Sequence, residues 1–171
     1  MNLESLSTDE CLARLDESRR ELLTIAAGLP DAQFGLRPDA ESWSPGMVLE
    51  HVAMVEGSVA RVLRALRLAT LAGKPVPPRN RDGRWHPDGR RIAPDGVTPG
   101  GNAHREEIMQ SLADTRQSLL GQAAESSAML ENSMVMAHPF FGDLNGLGWL
   151  RMAAAHELNH IDQLRRIMAT A

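Results

Sequence analysis

The sequence contains no tyrosine, and phenylalanine and tryptophan together make up only 4% of its 171 residues. So few aromatic side chains leave little with which to stack the bases of a single strand. Basic residues are not in excess either, because the formal net charge is −4 at pH 7, and a phosphate backbone would need a basic surface. We therefore expect no nucleic-acid partner.

Cysteine and long apolar runs are equally scarce. Cys11 is the only cysteine, so an intramolecular disulfide is excluded, which fits a reducing compartment. No apolar run is long enough to cross a bilayer, and the first residues lack the basic and apolar regions of a signal peptide. We expect a cytoplasmic chain with no membrane partner, folded as a single domain over residues 1–171.

Apolar residues recur at three- and four-residue steps in four stretches, which is the spacing of one helix face. These stretches predict helices at about 8–28, 45–72, 103–131 and 146–169. Ser7 and Glu10 form a capping box for the first helix, Ser44 and Pro45 begin the second, and Asn102 is placed to cap the third. No stretch convincingly predicts a strand. The pattern is that of an all-α helix bundle.

Two of the three segments that connect these helices differ sharply in composition. Residues 30–43 predict a short connector, whereas residues 73–101 hold six prolines and six glycines among 29 residues and keep no hydrophobic period. The second segment predicts a long, irregular, basic loop. It can span the roughly 40 Å length of the second helix, so the second and third helices can run parallel. We interpret it either as a mobile solvated crossover or as a lid or anion-contacting flap.

The candidate site begins with His156 and His160 in the last predicted helix. A four-residue spacing places both imidazoles on one helix face, at the edge of the apolar arc. Two such imidazoles can bind one transition metal ion; the alternative is a pair of interior histidines satisfied by hydrogen bonds. His51 lies at the edge of the apolar face of the second helix and, beside this pair, becomes the obvious third ligand.

The same stretch also spells the H-E-x-x-H pattern of metalloproteases, in which the glutamate is a general base. The extended form fails, because Gln163 and Arg166 stand where glycine and histidine are required. Two further residues are nonetheless candidates for a catalytic role. Glu157 is either a base beside the metal ligands or an interior carboxylate paired with arginine or histidine. Gln163 shares the face of the two histidines and can accept the outer ring N–H of a ligand.

These features together resemble the DinB/YfiT-like superfamily of bacterial four-helix metalloproteins, over nearly the whole chain. The residues that carry the resemblance are the triad His51, His156 and His160, the Trp43-Ser44-Pro45 start of the second helix, the connector His138-Pro139-Phe140-Phe141-Gly142, and Gln163. The resemblance implies an up-down-down-up four-helix bundle, a homodimer, and Zn²⁺ or Ni²⁺ held by the three histidines. Because the family includes bacillithiol- and mycothiol-dependent S-transferases and a maleylpyruvate isomerase, it also implies thiol chemistry.

Three imidazole ligands leave a coordination position open, which is the catalytic pattern for zinc. The leading hypothesis is metal-dependent transfer of a low-molecular-weight thiol onto a small electrophilic substrate. Two alternatives stay open. One is metal-dependent hydrolysis of an ester or amide, and the other is a metal-binding dimerisation module without turnover.

Overall fold

The computed structural model describes residues 5–77 and 83–170, and four long helices dominate it. The helices are α1 (Thr8–Gly28), the short α2 (Asp31–Phe34), α3 (Pro45–Ala72), α4 (Arg105–Glu125) and α5 (Gly146–Thr170). A small antiparallel hairpin pairs β1 (Met136–His138) with β2 (Gly142–Leu144). Short 3₁₀ turns lie at Asp95–Val97 and Ser127–Met129. The predicted four-helix bundle is confirmed.

Capping residues fix where three of the long helices begin. Ser7 accepts the N–H of Glu10 at 3.3 Å and returns its own N–H to that carboxylate at 2.8 Å, which is the predicted capping box. Ser44 accepts the N–H three residues later at 3.2 Å, with Pro45 in the first turn. Asn145 does the same for α5 at 2.9 Å. Each cap satisfies a backbone donor that has no partner inside the helix.

Helices α1 and α5 run in the same direction. Arg151, near the start of α5, donates from Nε to the carbonyl of Leu6 at 2.8 Å, just before α1. Toward the other end of both helices, Arg165 pairs with Glu21. The starts of the two helices thus lie together, as do their ends, so the helices are parallel.

Helices α3 and α4 are also parallel to each other. Thr115 donates to Glu56 at 3.0 Å near their middle, and Arg67 pairs with Glu125 at 2.5 Å near their ends. Arg105, at the start of α4, instead lies beside the end of α1, where it donates to the Ala26 carbonyl at 2.8 Å. Helix α4 is therefore antiparallel to α1, and the bundle is up-down-down-up.

The apolar faces of the long helices form the core, which consists of two clusters of buried side chains. Its largest fully buried apolar side chains include Leu15, Leu22, Leu49, Leu63, Leu112, Leu119, Leu150, Ile161 and Leu164. Burial of one such side chain contributes about 1.5–3 kcal/mol, so the bundle has a substantial core of its own. None of the helices in the described ranges is both long and apolar enough to cross a bilayer.

The third long helix is shorter than predicted. It covers Arg105–Glu125 instead of about 103–131, and His104 rather than Asn102 precedes it. Serine hydroxyls compete for nearby backbone groups and disfavour a helix interior, and two serines follow Glu125. The chain then makes a 3₁₀ turn that carries Leu130, 1% exposed, into the core. The apolar period continued through Leu130, and the helix did not.

The connectors also hold more structure than the sequence predicted. Residues 30–43 contain the short helix α2, and the β1–β2 hairpin occupies a stretch expected to hold no strand. Each strand has three residues, too few to show an alternating pattern. Gly142, with φ of 74°, turns the chain back at the hairpin's tip, a conformation that favours glycine.

The long loop between α3 and α4 is irregular, as predicted, but its described part packs against the bundle. Glu50 of α3 accepts the N–H groups of Gly100 and Gly101 at 3.2 and 3.1 Å. Within the loop, Trp85 and Arg91 form an antiparallel bridge. Residues 78–82 lie outside the described ranges.

Candidate metal centre

Helices α3 and α5 bring the three predicted ligands together. Nε2 of His156 lies 3.0 Å from Nε2 of His51 and 3.1 Å from Nε2 of His160. The antiparallel packing of α3 against α5 is what places His51 opposite the four-residue pair. Nitrogen ligands at 2.0–2.1 Å from a tetrahedral ion would be about 3.3 Å apart. The two measured nitrogen–nitrogen distances are slightly shorter than that.

Carbonyl oxygens orient two of the three imidazoles. Nδ1 of His51 lies 2.6 Å from the Val97 carbonyl oxygen, and Nδ1 of His160 lies 2.7 Å from Oε1 of Gln163. Because a carbonyl oxygen only accepts, each Nδ1 must carry the proton and donate it. The Nε2 atom of each of these two histidines then carries a lone pair directed toward the other ring nitrogens, which is the usual arrangement for a metal-bound histidine.

Burial keeps these imidazoles neutral. It lowers the pKa of His51, and it lowers that of His160 from 6.5 to about 4, with the charge of His51 adding to the effect. Burial, and then the charges of the other histidines, hold the pKa of His156 well below 6.5. Metal ions bind neutral imidazole, so no proton competes for these nitrogens at neutral pH.

The three histidines cannot satisfy one another. With Nε2 of His51 and His160 unprotonated, only His156 has a proton to offer, and one N–H cannot make two good hydrogen bonds in different directions. At least one buried lone pair therefore lacks a donor, which costs free energy. A divalent transition metal ion would satisfy all three lone pairs at once, and imidazole nitrogen suits zinc, copper and nickel. The residues present fit such an ion.

Glu157, the acidic residue of the HExxH-like stretch, faces away from this cluster into the bundle. Its Oε2 accepts from Ser18 at 2.5 Å and from Arg116 at 2.8 Å, and its Oε1 accepts from Arg19 at 2.7 Å. Only 2% of the residue is exposed. The structure thus places Glu157 as an interior carboxylate paired with two arginines, with both oxygens engaged.

The rest of this ion-pair network was not predicted from the sequence. Glu56 accepts from Arg19 at 2.7 Å, from Arg116 at 2.6 Å and from Thr115 at 3.0 Å. The two arginines and two glutamates come from α1, α3, α4 and α5, one from each long helix. Their signal was present but weak, since each is a charged residue in line with an otherwise apolar helix face.

A small cavity separates the network from the histidine cluster. Its volume is about 10 Å³, and it is lined by Arg19, Val52, Val55, Glu56, Ala153, His156 and Glu157. That is close to the smallest space that holds one water molecule. The cavity therefore borders both polar clusters.

Aromatic residues border the histidine cluster. The Trp43 ring lies 4.8 Å from that of His51. His138 of the β1–β2 hairpin packs 5.0 Å from the ring of Trp149, which precedes His156 by two turns of α5, and its charge would lower the pKa of His156. Burial and the charge of Arg91 hold the pKa of His138 at about 4. The buried Nε1–H of Trp149 has no hydrogen-bond partner among the described residues.

Comparison with known proteins agrees with this architecture. The family model of the DinB superfamily matches residues 14–164, so the chain belongs to that superfamily. It is 24% identical to the uncharacterized protein YuaE of Bacillus subtilis strain 168 over 152 residues, which cover 89% of this chain and 93% of that protein. The crystal structure of TT2238, a four-helix bundle protein, superposes with a TM-score of 0.70 at 35% identity, over 94% of this chain and 99% of TT2238.

Proposed function

We propose that this protein holds one Zn²⁺ or Ni²⁺ ion through Nε2 of His51, His156 and His160 and transfers a low-molecular-weight thiol onto a small electrophile. The observation that carries the proposal is the convergence of three Nε2 atoms, with 3.0 and 3.1 Å between neighbours. Val97 and Gln163 orient two of the ligands, and membership of the DinB superfamily is compatible with a metal ion.

The chemistry needs an open coordination position and a nucleophile. A bound divalent ion supplies Lewis acidity that lowers the pKa of a coordinated thiol from about 8.5, so that it is a thiolate at neutral pH. The protein's part is to keep the three imidazoles neutral, to fix their orientation, and to place the apolar Trp43 ring against His51. In the transfer, the thiolate sulfur forms a bond to the electrophilic carbon, and that carbon's leaving group departs with its electron pair.

The position of Glu157 favours thiol transfer over hydrolysis. Water attack in an HExxH-type site uses the glutamate as general base, but both oxygens of Glu157 are engaged with Ser18, Arg19 and Arg116. A thiol has an ordinary pKa within about two units of neutrality, so metal contact alone is enough to ionise it. Hydrolysis, and metal binding without turnover, become the competing outcomes of the test.

The first test is metal content and turnover of protein purified without a histidine tag. We expect one transition metal ion per chain, and conjugation of glutathione or bacillithiol to monochlorobimane, with chloride released, that depends on the metal. His51→Gln, His156→Gln and His160→Gln should each lose the metal and the activity. His86→Gln and His104→Gln are matched controls outside the cluster and should lose neither.

Two results would contradict the proposal in different ways. Full metal content in His51→Gln would remove the triad. Metal-dependent hydrolysis of para-nitrophenyl acetate without any thiol, and no conjugate with any thiol, would replace transfer by hydrolysis. The homodimer implied by the family resemblance is also a proposal, and sedimentation equilibrium of the metal-loaded protein tests it.

A further inference from the structure

The loop between α3 and α4 carries a small hairpin that packs on the β1–β2 hairpin. The N–H of Ile92 donates to the Arg84 carbonyl at 2.9 Å and the N–H of His86 to the Arg90 carbonyl at 2.8 Å, which sets Trp85 opposite Arg91. At the base of this loop hairpin, the N–H of Gly83 donates to the Pro139 carbonyl at 3.2 Å. These bonds hold the loop hairpin in a defined place.

Arg91 lies over three aromatic rings contributed by both hairpins. Its guanidinium carbon is 4.7 Å from the ring centre of Phe141, 5.5 Å from that of Trp85 and 5.7 Å from that of Phe140. The Trp85 and Phe140 rings meet edge to face at 5.4 Å. Cation–π contacts of this kind fix the plane of a guanidinium without using its N–H groups. The N–H donors of the Arg91 guanidinium are therefore held in place and remain able to bind an acceptor.

No carboxylate pairs with Arg91 anywhere in the described ranges, and its two arginine neighbours in the loop hairpin differ in this respect. Arg84 pairs with Asp95 at 2.5 Å, and Arg90 pairs with Asp88 at 2.6 Å. Each of these charges is matched by an acidic residue of the same loop. Among the described residues, Arg91 is the one arginine of these three without a carboxylate partner, so it is the one that can bind an external anion.

The rings under Arg91 connect it to the metal centre. Phe141 packs 4.7 Å from His138, and His138 packs 5.0 Å from Trp149. Trp149 precedes the ligand His156 by seven residues, so both lie on the same face of α5, about 10 Å apart along the axis. Trp149 itself is buried, at 6% exposure, so the connection between Arg91 and α5 is one of packed side chains.

We propose that Arg91, Trp85, Phe140 and Phe141 form a subsite for the carboxylate of a ligand with a planar apolar body. A guanidinium binds a carboxylate with two parallel hydrogen bonds, and Trp85 and Phe141, which are 55% and 47% exposed, can contact the planar body with the exposed parts of their rings. The inference rests on the proposed function, because it names the substrate class of that same centre. The carboxylate belongs either to the thiol or to the electrophile.

Binding to the metal-free protein tests the subsite separately from metal chemistry. In the presence of a chelator, naphthoate should bind at least about tenfold more tightly than neutral naphthamide, as expected when a charge-assisted pair is added. A ligand-observed NMR titration measures both dissociation constants. Arg91→Gln should remove this preference, while Arg90→Gln and Arg84→Gln, whose partners lie within the loop, should keep it. Trp85→Leu should weaken the binding of both probes.

Competition identifies the source of the carboxylate. Displacement of naphthoate by glutathione but not by cinnamate assigns it to the thiol, and the reverse assigns it to the electrophile. Failure of both to compete would overturn the subsite, as would equal binding of naphthoate and naphthamide or an unchanged preference in Arg91→Gln. Since no metal or turnover is involved, these failures leave the metal-centre proposal untouched. Loss of metal binding in His51→Gln would in turn leave the naphthoate result untouched.

Discussion

Two polar clusters lie side by side in the bundle, one buried and the other partly buried, and they differ in how their groups are satisfied. In the ion-pair network, two arginines and two glutamates balance in charge, and each carboxylate oxygen of Glu56 and Glu157 accepts at least one hydrogen bond. In the histidine cluster, three nitrogens face one another with too few protons between them. His156 and Glu157 are adjacent in sequence, yet one belongs to each cluster.

The difference indicates what each cluster is for. Burying charges is costly and is tolerated when the pairing is complete, so the network joins the four long helices without needing anything further. Arg19 and Arg116 also donate to the carbonyls of Leu112 and Leu15, which ties α1 to α4. The histidine cluster is incomplete on its own, and incomplete buried polar groups mark functional sites more often than structural ones.

The largest expected effect on stability comes from a substitution of Glu157 that breaks the ion-pair network. In metal-free protein at pH 7, Glu157→Gln should lose about 3–5 kcal/mol of unfolding free energy, because it leaves two buried guanidinium groups short of one negative charge. His156→Gln, one residue away, should change it by about 1 kcal/mol or less, because a glutamine amide can also donate a hydrogen bond to a neighbouring histidine. Urea denaturation with a chelator present measures both.

Metal content should show the opposite pattern in the same two variants. Glu157→Gln, if folded at low temperature, should keep its metal ion, and His156→Gln should lose it. A Glu157→Gln protein that is fully stable yet metal-free would show that the carboxylate serves the metal centre rather than the fold.

The sequence predicted the histidine cluster better than the network, and the reason is local spacing. A four-residue pair on one helix and a third histidine on another are visible along the chain, as are the caps Ser7 and Ser44. The network depends on partners between 37 and 138 residues apart. Only the packing of four helices shows that Arg19 and Arg116 point inward rather than into solvent.

The contacts that backbone groups make with the site also could not be predicted from the sequence. The Val97 carbonyl orients His51, but a carbonyl is common to every residue, and only the return of the long loop to α3 brings this one within 2.6 Å. Likewise, nothing in the pattern showed that Arg91 would be the arginine of the loop hairpin that has no carboxylate partner within residues 5–77 and 83–170. The connector from His138 to Gly142 resembled a family feature, but the sequence did not show that His138 packs on Trp149 of α5.

A further prediction concerns pH, to which the histidine cluster and His138 are expected to respond between about pH 4 and pH 6.5. Burial lowers the pKa of His160 from 6.5 to about 4 and lowers those of His51 and His156. Between these values the unfolded chain binds more protons than the native state, so stability rises with pH. Metal-free protein should keep its stability above about pH 6.5 and lose it progressively toward pH 4, by up to about 3 kcal/mol for His160 alone.

Urea denaturation at several pH values, with a chelator present, measures this slope. His160→Gln should flatten it, because one buried base has been removed. His138 also contributes, since its pKa is held at about 4, and His138→Gln is therefore a second flattening variant. An equal slope in wild type and in His160→Gln would mean that the cluster is not what resists protonation.

The smallest expected effect comes from Gln163, the side chain that orients His160 in the histidine cluster. Gln163 holds the Nδ1–H of His160 at 2.7 Å and lies outside the ion-pair network. Loss of such an outer partner costs about 10- to 100-fold in metal affinity, so Gln163→Leu should weaken zinc binding by that factor in a competition titration with a chromophoric chelator. Gln163→Glu, which keeps an acceptor oxygen at that position, should restore most of the affinity. Because Gln163 is half-buried and supports no other described contact, metal-free stability should hardly change. If Gln163→Leu instead lowered metal-free stability and left the zinc affinity intact, Gln163 would belong with Glu157 among the residues that hold the fold, and the orientation of His160 would need another source.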